Sequence, residues 1–282
     1  MTINSAASAT LNPEVPAALS FFTTGDGVQI AYRIDGRDDR PALILANSIA
    51  TTLHMWDLQI PKFAEHFRVI RYDYRGHGGS DVPAGAYSDG RLGRDVLELM
   101  GWLGIKRAHF LGLSLGGWVG QWLAIHSPER IERLVLSNTS SYLGPAETFD
   151  KSIAATLAAP DMKEAAETFL GNWFPSAMIA ANGPVVRQFR EMLLNTPRQG
   201  LAGLFAAVRD ADMRRTAALI QSPTLVIAGE FDTVTSLSMG EAIASTIPGA
   251  RLKTFPAVHF SNIEYSQVFS EEVVAFLNQT SA

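Results

Sequence analysis

Short apolar runs alternate with longer amphipathic segments through most of the chain. The run VQIAYRI (28–34) alternates in polarity, as a strand with one buried face does, whereas ALILANS (42–48) is continuously apolar, as a strand buried on both faces is. The other predicted strands are FRVIRYD (67–73), AHFLGLS (108–114), IERLVLSN (131–138), PTLVIAGE (223–230) and RLKTFP (251–256). The predicted helices span 54–67, 92–103, 115–126, 236–246 and 264–277. This alternation predicts an α/β fold with a mostly parallel central sheet and helices on both faces.

The pattern changes between residues 141 and 216, where helical segments such as AAETFLGNWF and VVRQFREMLL occur without a convincing strand. We therefore predict a core formed by 21–140 and 217–282, with 141–216 inserted as a helical cap before the last strands. The cap is expected over the carboxyl edge of the sheet, where ligands bind in such folds. Residues 1–20 are small and polar and contain two prolines, and they are predicted to form a flexible tail.

Composition excludes several classes of function. The net charge of −5 argues against a general binder of nucleic acid or of anionic membranes, because both need a basic face. The chain contains no cysteine, which excludes disulfides, thiolate metal sites and a cysteine nucleophile. It begins without the basic and apolar regions of a signal peptide, and it has no apolar run long enough to span a membrane, so a cytoplasmic location is expected.

The segment Gly112-Leu113-Ser114-Leu115-Gly116 matches G-x-S-x-G, a turn that presents a serine hydroxyl between a strand and a helix. Such a turn is strained, and the residues two positions before and after the serine must be small so that strand and helix can approach. A match by chance is expected about 0.1 times in a chain of this composition, and the bland alternative is a sharp turn that happens to contain serine. The position at a strand-to-helix junction favours a nucleophile.

His259 best fits the base that a serine nucleophile requires. It lies in PAVHFSNIE, between the last predicted strand and the last predicted helix, where a loop can reach back over the sheet edge. Asp232 follows the strand PTLVIAGE by two residues and is the predicted acid that orients the histidine, which gives the chain order Ser-Asp-His of a hydrolase triad. The alternatives are His54, His77, His109 and His126 for the base, and Asp73 and Glu230 for the acid.

Charge that develops on the attacked carbonyl oxygen must be met by N–H donors held in place. The backbone N–H of Leu115, directly after the nucleophile, is one predicted donor, and that of Ile49, in the loop after ALILANS, is the other. The alternative is that this loop, NSIATT, is an ordinary polar connector.

With these residues assembled, the chain resembles the α/β-hydrolases, and within them the 3-oxoadipate enol-lactonases. The likeness is carried by LANSIATTLHMWDLQIP, FRVIRYDYRGHGGSDVPAGAYS, the segment around Ser114, PERIERLVLSNTS and VHFSNIE, and in the cap chiefly by NWF. Ile49-Ala50 stands where that family usually has Leu-Gly. The resemblance implies that a carboxylate-bearing lactone is hydrolysed without a cofactor or metal, in the catabolism of aromatic compounds.

The implied substrate is a small molecule with a ring and a carboxylate, with no nucleic acid or membrane as partner; the oligomeric state is left open. Trp118 and Trp173 are predicted to wall the ring, and Arg187 and Arg190 to pair with the carboxylate unless they are solvated on the outer face of the cap. Other hydrolases of the same fold remain as alternatives, namely a general carboxylesterase, another lactonase or a perhydrolase. A cofactor-independent dioxygenase and a non-catalytic binding protein are less favoured, the latter because serine, acid and histidine are all present.

Overall fold

The computed structural model describes residues 19–279, and its central element is an eight-stranded sheet. The strands are β1 (Ser20–Thr23), β2 (Gln29–Asp35), β3 (Ala42–Ala46), β4 (Arg68–Tyr72), β5 (Ala108–Leu113), β6 (Ile131–Ser137), β7 (Thr224–Gly229) and β8 (Arg251–Phe255). Their order across the sheet is β1-β2-β4-β3-β5-β6-β7-β8. Only the pairings of β2 with β1 and with β4 are antiparallel, so the predicted mostly parallel sheet is confirmed.

Helices follow most of the strands. They are α1 (Ile60–Ala64), α2 (Asp89–Trp102), α3 (Leu115–His126), α4 (Ala146–Ala158), α5 (Lys163–Trp173), α6 (Ser176–Ala181), α7 (Pro184–Leu194), α8 (Arg198–Asp210), α9 (Leu237–Thr246), α10 (Ser261–Glu264) and α11 (Ser266–Leu277). Short 3₁₀ turns occupy Leu53–Trp56, Pro128–Arg130 and Thr216–Leu219. No helix within residues 19–279 has the length and apolar character needed to cross a bilayer.

The sheet register sets the place of the functional residues. All six residues of β5 and all six of β7 are buried, as is typical of central strands covered by helices on both faces. In the parallel pairing of β5 with β6, Gly112 lies opposite Leu136. In the pairing of β6 with β7, Ser137 lies opposite Ile227. The carboxyl ends of β3, β5, β6, β7 and β8 therefore meet at one edge, and the loops that follow them lie side by side.

The helix predicted over 54–67 is a difference between sequence and structure. A 3₁₀ turn covers Leu53–Trp56, and α1 begins only at Ile60, with Pro61 in its first turn. Proline lacks an N–H and cannot occupy a helix interior without breaking it, so the helix begins at this residue instead of running through it. Trp56 and Phe63 are nevertheless both fully buried, as their predicted common face requires.

Both ends of the described chain also differ in detail from the prediction. Residues 1–18 of the predicted tail lie outside the described residues, and β1 begins at Ser20, within the range assigned to the tail. At the other end, the helix predicted over 264–277 corresponds to α11, which begins at Ser266, and the short helix α10 precedes it.

Between β6 and β7 the chain forms helices α4 to α8 and, in the described residues, no strand. An aromatic cluster joins these helices to the loop after β8. Phe260 lies 4.8 Å from Trp173 of α5 and 5.1 Å from Phe189 of α7, measured between ring centroids. Large aromatic rings bury much apolar area at such contacts, so this cluster attaches the inserted helices to the sheet edge.

Candidate active site

Ser114 lies at the turn between β5 and α3 with a strained backbone, φ 56° and ψ −116°. A left-handed φ at a residue other than glycine costs about 1–3 kcal/mol and is retained where the surrounding structure enforces it. A Cβ on Gly112 would overlap the carbonyl oxygen of Gly116, and a Cβ on Gly116 would overlap that of Ala46. Both glycines are therefore needed for strand and helix to approach as closely as the turn requires.

Asp232 and His259 are hydrogen-bonded side chains in the loops after β7 and β8. His259 Nδ1 lies 2.9 Å from Asp232 Oδ2, and both side chains are almost fully buried. Asp232 Oδ1 accepts hydrogen bonds from the backbone N–H groups of Val234 at 2.8 Å and Thr235 at 2.9 Å. Both oxygens of the Asp232 carboxylate are thus held by hydrogen bonds, and the carboxylate in turn fixes the orientation of the His259 imidazole.

Two opposing effects act on the pKa of Asp232. Burial by itself would raise the pKa of this carboxyl, but the adjacent His259 and the hydrogen bonds from Thr235 and Asn138 lower it to about 2. Asp232 is therefore ionised at neutral pH and can accept a hydrogen bond from the Nδ1–H of His259. The other ring nitrogen, Nε2, is then free to accept a proton.

Ser114 and His259 line the same cavity, which lies between the sheet edge and the inserted helices. His259 Nε2 is buried and has no hydrogen-bond partner among residues 19–279. No hydrogen bond joins the Ser114 hydroxyl to Nε2 in the described residues; catalytic hydrogen bonds are often long in a ligand-free site, and both residues line one cavity.

Ile49 and Leu115 also line this cavity. Neither backbone N–H donates a hydrogen bond to another residue of the described chain, so both are available to a ligand oxygen. The loop after β3 is held by Ser48 N–H, which donates to Met55 Sδ at 3.1 Å, and by Thr51 Oγ1, which donates to the Ser48 carbonyl at 2.8 Å.

Ala50 occupies a left-handed position, with φ 57°, in the middle of that loop. This is the site where the family resembled by the sequence usually has glycine, and a Cβ makes such a conformation less favourable. Ala50 is fully buried, and the packing around it therefore holds the loop in the conformation that directs Ile49 to the cavity.

The structure brings the two predicted tryptophans to the cavity but not the two arginines. Trp118 and Trp173 both line it. Arg187 is exposed and donates to the Asn182 carbonyl at 2.7 Å, and Arg190 pairs with Glu167 at 2.8 Å. The expectation that these arginines reach the substrate is therefore not met, because α7 turns them toward the outer surface and buries Val186 and Phe189 instead.

The alternative histidines lie elsewhere. His77 and His109 are buried away from the cavity, and burial lowers the pKa of each to about 4. His54 pairs with Asp57 at 3.0 Å, and His126 stacks on Trp122.

The alternative acids also have other surroundings. Asp73 accepts the backbone N–H groups of Leu53 at 2.7 Å and Gly79 at 2.9 Å, and it thereby organises the turn after β4. Glu230 is exposed. Neither carboxylate contacts His259.

Sequence reasoning missed several residues around the site. Asn138, after β6, donates to Asp232 Oδ2 at 3.1 Å, and Thr235 Oγ1 donates to the same oxygen at 2.9 Å. A polar residue directly after the apolar run IERLVLS, and a threonine three positions after the acid, were the available signals. The cavity is otherwise lined by side chains that the sequence did not single out, namely Leu143, Phe149, Phe169, Asn172, Phe205, Val208 and Val234.

Comparison with known proteins agrees with this geometry. A family model described as the alpha/beta hydrolase fold matches residues 41–265. The chain is 37% identical over 256 residues to 3-oxoadipate enol-lactonase 2 of Acinetobacter baylyi, covering 91% of this chain and 96% of the relative.

Two solved structures are similar over nearly their whole length. A hydrolase from Pseudomonas aeruginosa PA01 is 60% identical with a TM-score of 0.92, covering 94% of this chain and all of that one. The enol-lactonase from Burkholderia xenovorans LB400 is 37% identical with a TM-score of 0.89, covering 92% of this chain and all of that one. The sequence resemblance is thus confirmed, and the chain is a hydrolase that belongs to the alpha/beta hydrolase fold family.

Proposed function

We propose that this protein opens a small lactone through a Ser114-His259-Asp232 triad, and that its substrate is 3-oxoadipate enol-lactone. The observation that carries the proposal is the hydrogen-bonded pair of Asp232 and His259, which ends at the cavity containing the strained Ser114. The relatives and structures named as enol-lactonases support the choice of substrate.

In the first half of the reaction, Ser114 Oγ attacks the lactone carbonyl while His259 Nε2 takes its proton. The oxyanion that forms accepts hydrogen bonds from the N–H groups of Ile49 and Leu115, a contribution of about 3–4 kcal/mol per donor in comparable sites. Collapse of this intermediate breaks the ring C–O bond. The departing enol oxygen takes the proton from His259, and the enol then tautomerises to a ketone, so the ring does not close again.

In the second half, water attacks the acyl group on Ser114 while His259 Nε2 accepts a proton from it. Collapse returns that proton to Ser114 Oγ and releases the free carboxylate. Asp232 remains ionised throughout and stabilises the imidazolium each time it forms, as its lowered pKa of about 2 supports.

The substrate is held between the sheet edge and the segment 141–216, which we propose is a cap that supplies most of the apolar wall. Trp118 comes from the core side and Trp173 from the cap side, so a flat ring fits between them. The cavity lining contains no lysine or arginine, and an unpaired carboxylate buried there would be costly. The carboxylate of the lactone therefore points to the mouth, where the exposed amide of Asn172 is the polar side chain that can bind it.

The proposal is tested by comparing wild type, Ser114→Ala and Ser152→Ala on 3-oxoadipate enol-lactone. Ser152 is a matched control because it lies in α4 and its hydroxyl bonds only the Thr148 carbonyl. We expect loss of turnover and of fluorophosphonate labelling in Ser114→Ala alone. Normal turnover by that variant would contradict the triad, and absence of labelling in wild type would favour a binding protein.

A general carboxylesterase is the second candidate, favoured by the uncharged and aromatic lining of the cavity. The two are separated by kcat/KM for the enol-lactone and for a series of neutral p-nitrophenyl esters. A higher value for the esters would replace the lactone as substrate without changing the assigned triad.

A further inference from the structure

Asn138 joins the loop that carries Asp232 to the loop that carries His259. Its side-chain Nδ2 donates to Asp232 Oδ2 at 3.1 Å and to the carbonyl of Val258 at 3.2 Å. Val258 is the residue directly before His259. Asn138 is 1% exposed, and its Oδ1 accepts from Ser137 Oγ at 3.0 Å, so the amide oxygen is also satisfied. The Asn138 amide group thus donates both to the carboxylate of Asp232 and to the peptide carbonyl directly before His259.

The backbone of Asn138 favours this bridge. Its N–H donates to the Ile227 carbonyl on β7 at 2.8 Å, and its φ of 43° is left-handed, a conformation that asparagine adopts more readily than most residues. Gly229, at the end of β7, leaves the space for the contact. A Cβ there would overlap the Val258 carbonyl oxygen and would lie 3.1 Å from Asn138 Nδ2.

Val258 is held from its other side by Glu264 in α10. The Val258 N–H donates to Glu264 Oε1 at 2.7 Å. The N–H and the carbonyl of one residue are therefore both bound by side chains, Glu264 on one and Asn138 on the other. Because hydrogen bonds to both polar atoms restrict the rotation of a residue, the start of the His259 loop has little freedom to shift away from Asp232.

We propose that Asn138 is a positioning residue for catalysis. Its amide holds Asp232 and His259 in their relative positions by donating hydrogen bonds to both loops. The inference rests on the proposed function, because it assigns His259 as the base and Asp232 as its partner. Asn138 does not line the cavity and acts only through these two residues. Without the amide, the imidazole samples orientations that direct Nε2 away from Ser114, and small displacements of a catalytic group reduce turnover strongly.

The main test is Asn138→Gly, which removes the amide and tolerates the left-handed backbone. We expect kcat to fall about 10- to 100-fold while KM changes by less than about threefold, since the cavity walls are unaltered. The matched control is Asn182→Gly, at the end of α6, where an exposed asparagine also has a φ of 43°. That variant should retain the kcat of wild type.

A spectroscopic measurement separates positioning from a structural role. The low-field proton resonance of the Asp232–His259 hydrogen bond should broaden or shift in Asn138→Gly and remain in Asn182→Gly. A folded Asn138→Gly protein that keeps this resonance and a kcat within about twofold of wild type would overturn the inference.

Three further variants, one at Asn138 and two at Glu264, decide the matter if Asn138→Gly does not fold. Asn138→Asp has nearly the same volume but replaces the donor with a carboxylate facing Asp232, and it should lose at least as much kcat; full activity would overturn the inference. At the other contact, Glu264→Ala should lower kcat more than Glu264→Gln, which keeps an acceptor oxygen for Val258.

Failure of this inference is distinguishable from failure of the proposed function. If Ser114→Ala is inactive and Asn138→Gly fully active, only the positioning role is wrong. If Ser114→Ala is active, the triad itself is wrong, whatever the result for Asn138.

Discussion

The Nδ1 of His259 lies 2.9 Å from Oδ2 of Asp232 although 27 positions separate the two residues in the chain. β7 and β8 are adjacent and parallel, so the loops that follow them leave the sheet at the same edge. Asp232 is ionised at neutral pH because its neighbours lower its pKa to about 2. This contact favours the arrangement in which the Nδ1–H of His259 donates to the Asp232 carboxylate.

Asp232→Asn should lower kcat by about 10⁴-fold, because an amide can donate to Nδ1 and thereby favour the tautomer whose Nε2 carries the proton. The measurement is kcat on the lactone that wild type hydrolyses. Glu230→Gln is the control, since this exposed residue lies on the same loop and should have almost no effect. An Asp232→Asn protein with a kcat near that of wild type would exclude Asp232 as the acid.

Gly112→Ala should destabilise the fold by about 1–3 kcal/mol, because the new Cβ overlaps the Gly116 carbonyl oxygen and forces the turn at Ser114 open. Gly101→Ala in α2 is the matched substitution, since a Cβ there meets no atom within 4 Å. Alanine also has the higher helix propensity, so this variant should gain about 0.5 kcal/mol. Urea unfolding measures both changes, and equal stabilities would refute the close approach of strand and helix.

Asn172→Asp should raise KM for the anionic lactone about tenfold, because a second negative charge at the mouth repels the substrate carboxylate. KM for a neutral p-nitrophenyl ester should not change. Arg190→Ala should leave both values unaltered, because its guanidinium is occupied by Glu167 outside the cavity. A selective rise in KM for the anionic lactone in Arg190→Ala would restore the arginine as its partner.

His109→Leu should flatten the dependence of stability on pH. Burial of His109 lowers its pKa to about 4 in the folded chain, against an ordinary value of 6.5. Between these two values the unfolded chain binds a proton at His109 that the folded chain does not, so this residue alone lowers the stability of wild type by on the order of 3 kcal/mol as pH falls from about 6.5 to about 4. Urea midpoints at pH 7, 6 and 5 for both proteins measure this effect. Parallel curves would show that His109 makes no contribution.

The sheet could be predicted because the signals for strands are local. The run ALILA is apolar throughout, as is typical of a strand covered on both faces. G-x-S-x-G is a local pattern as well, since a Cβ on Gly112 would overlap the Gly116 carbonyl oxygen within the same turn, whereas Gly116 faces the Ala46 carbonyl oxygen on β3. Pro61 is a local signal as well, because its missing N–H favours a helix that begins at Ile60 over one that begins at His54.

Side-chain direction could not be predicted. Arg187 and Arg190 occur in a helix whose apolar face is obvious, but the neighbour on which that face packs is set by the tertiary structure. Asn138 is similar, because its two partners lie 94 and 120 positions away in sequence.

The sequence by itself determined the strand-helix alternation and the serine turn, because each depends on residues close together in the chain. The tertiary structure decided which histidine meets which carboxylate, which aromatic rings enclose the cavity and which arginines face water. These depend on the parallel register of β5 to β8 and on the packing of helices α4 to α8, which bring together residues that no local pattern connects.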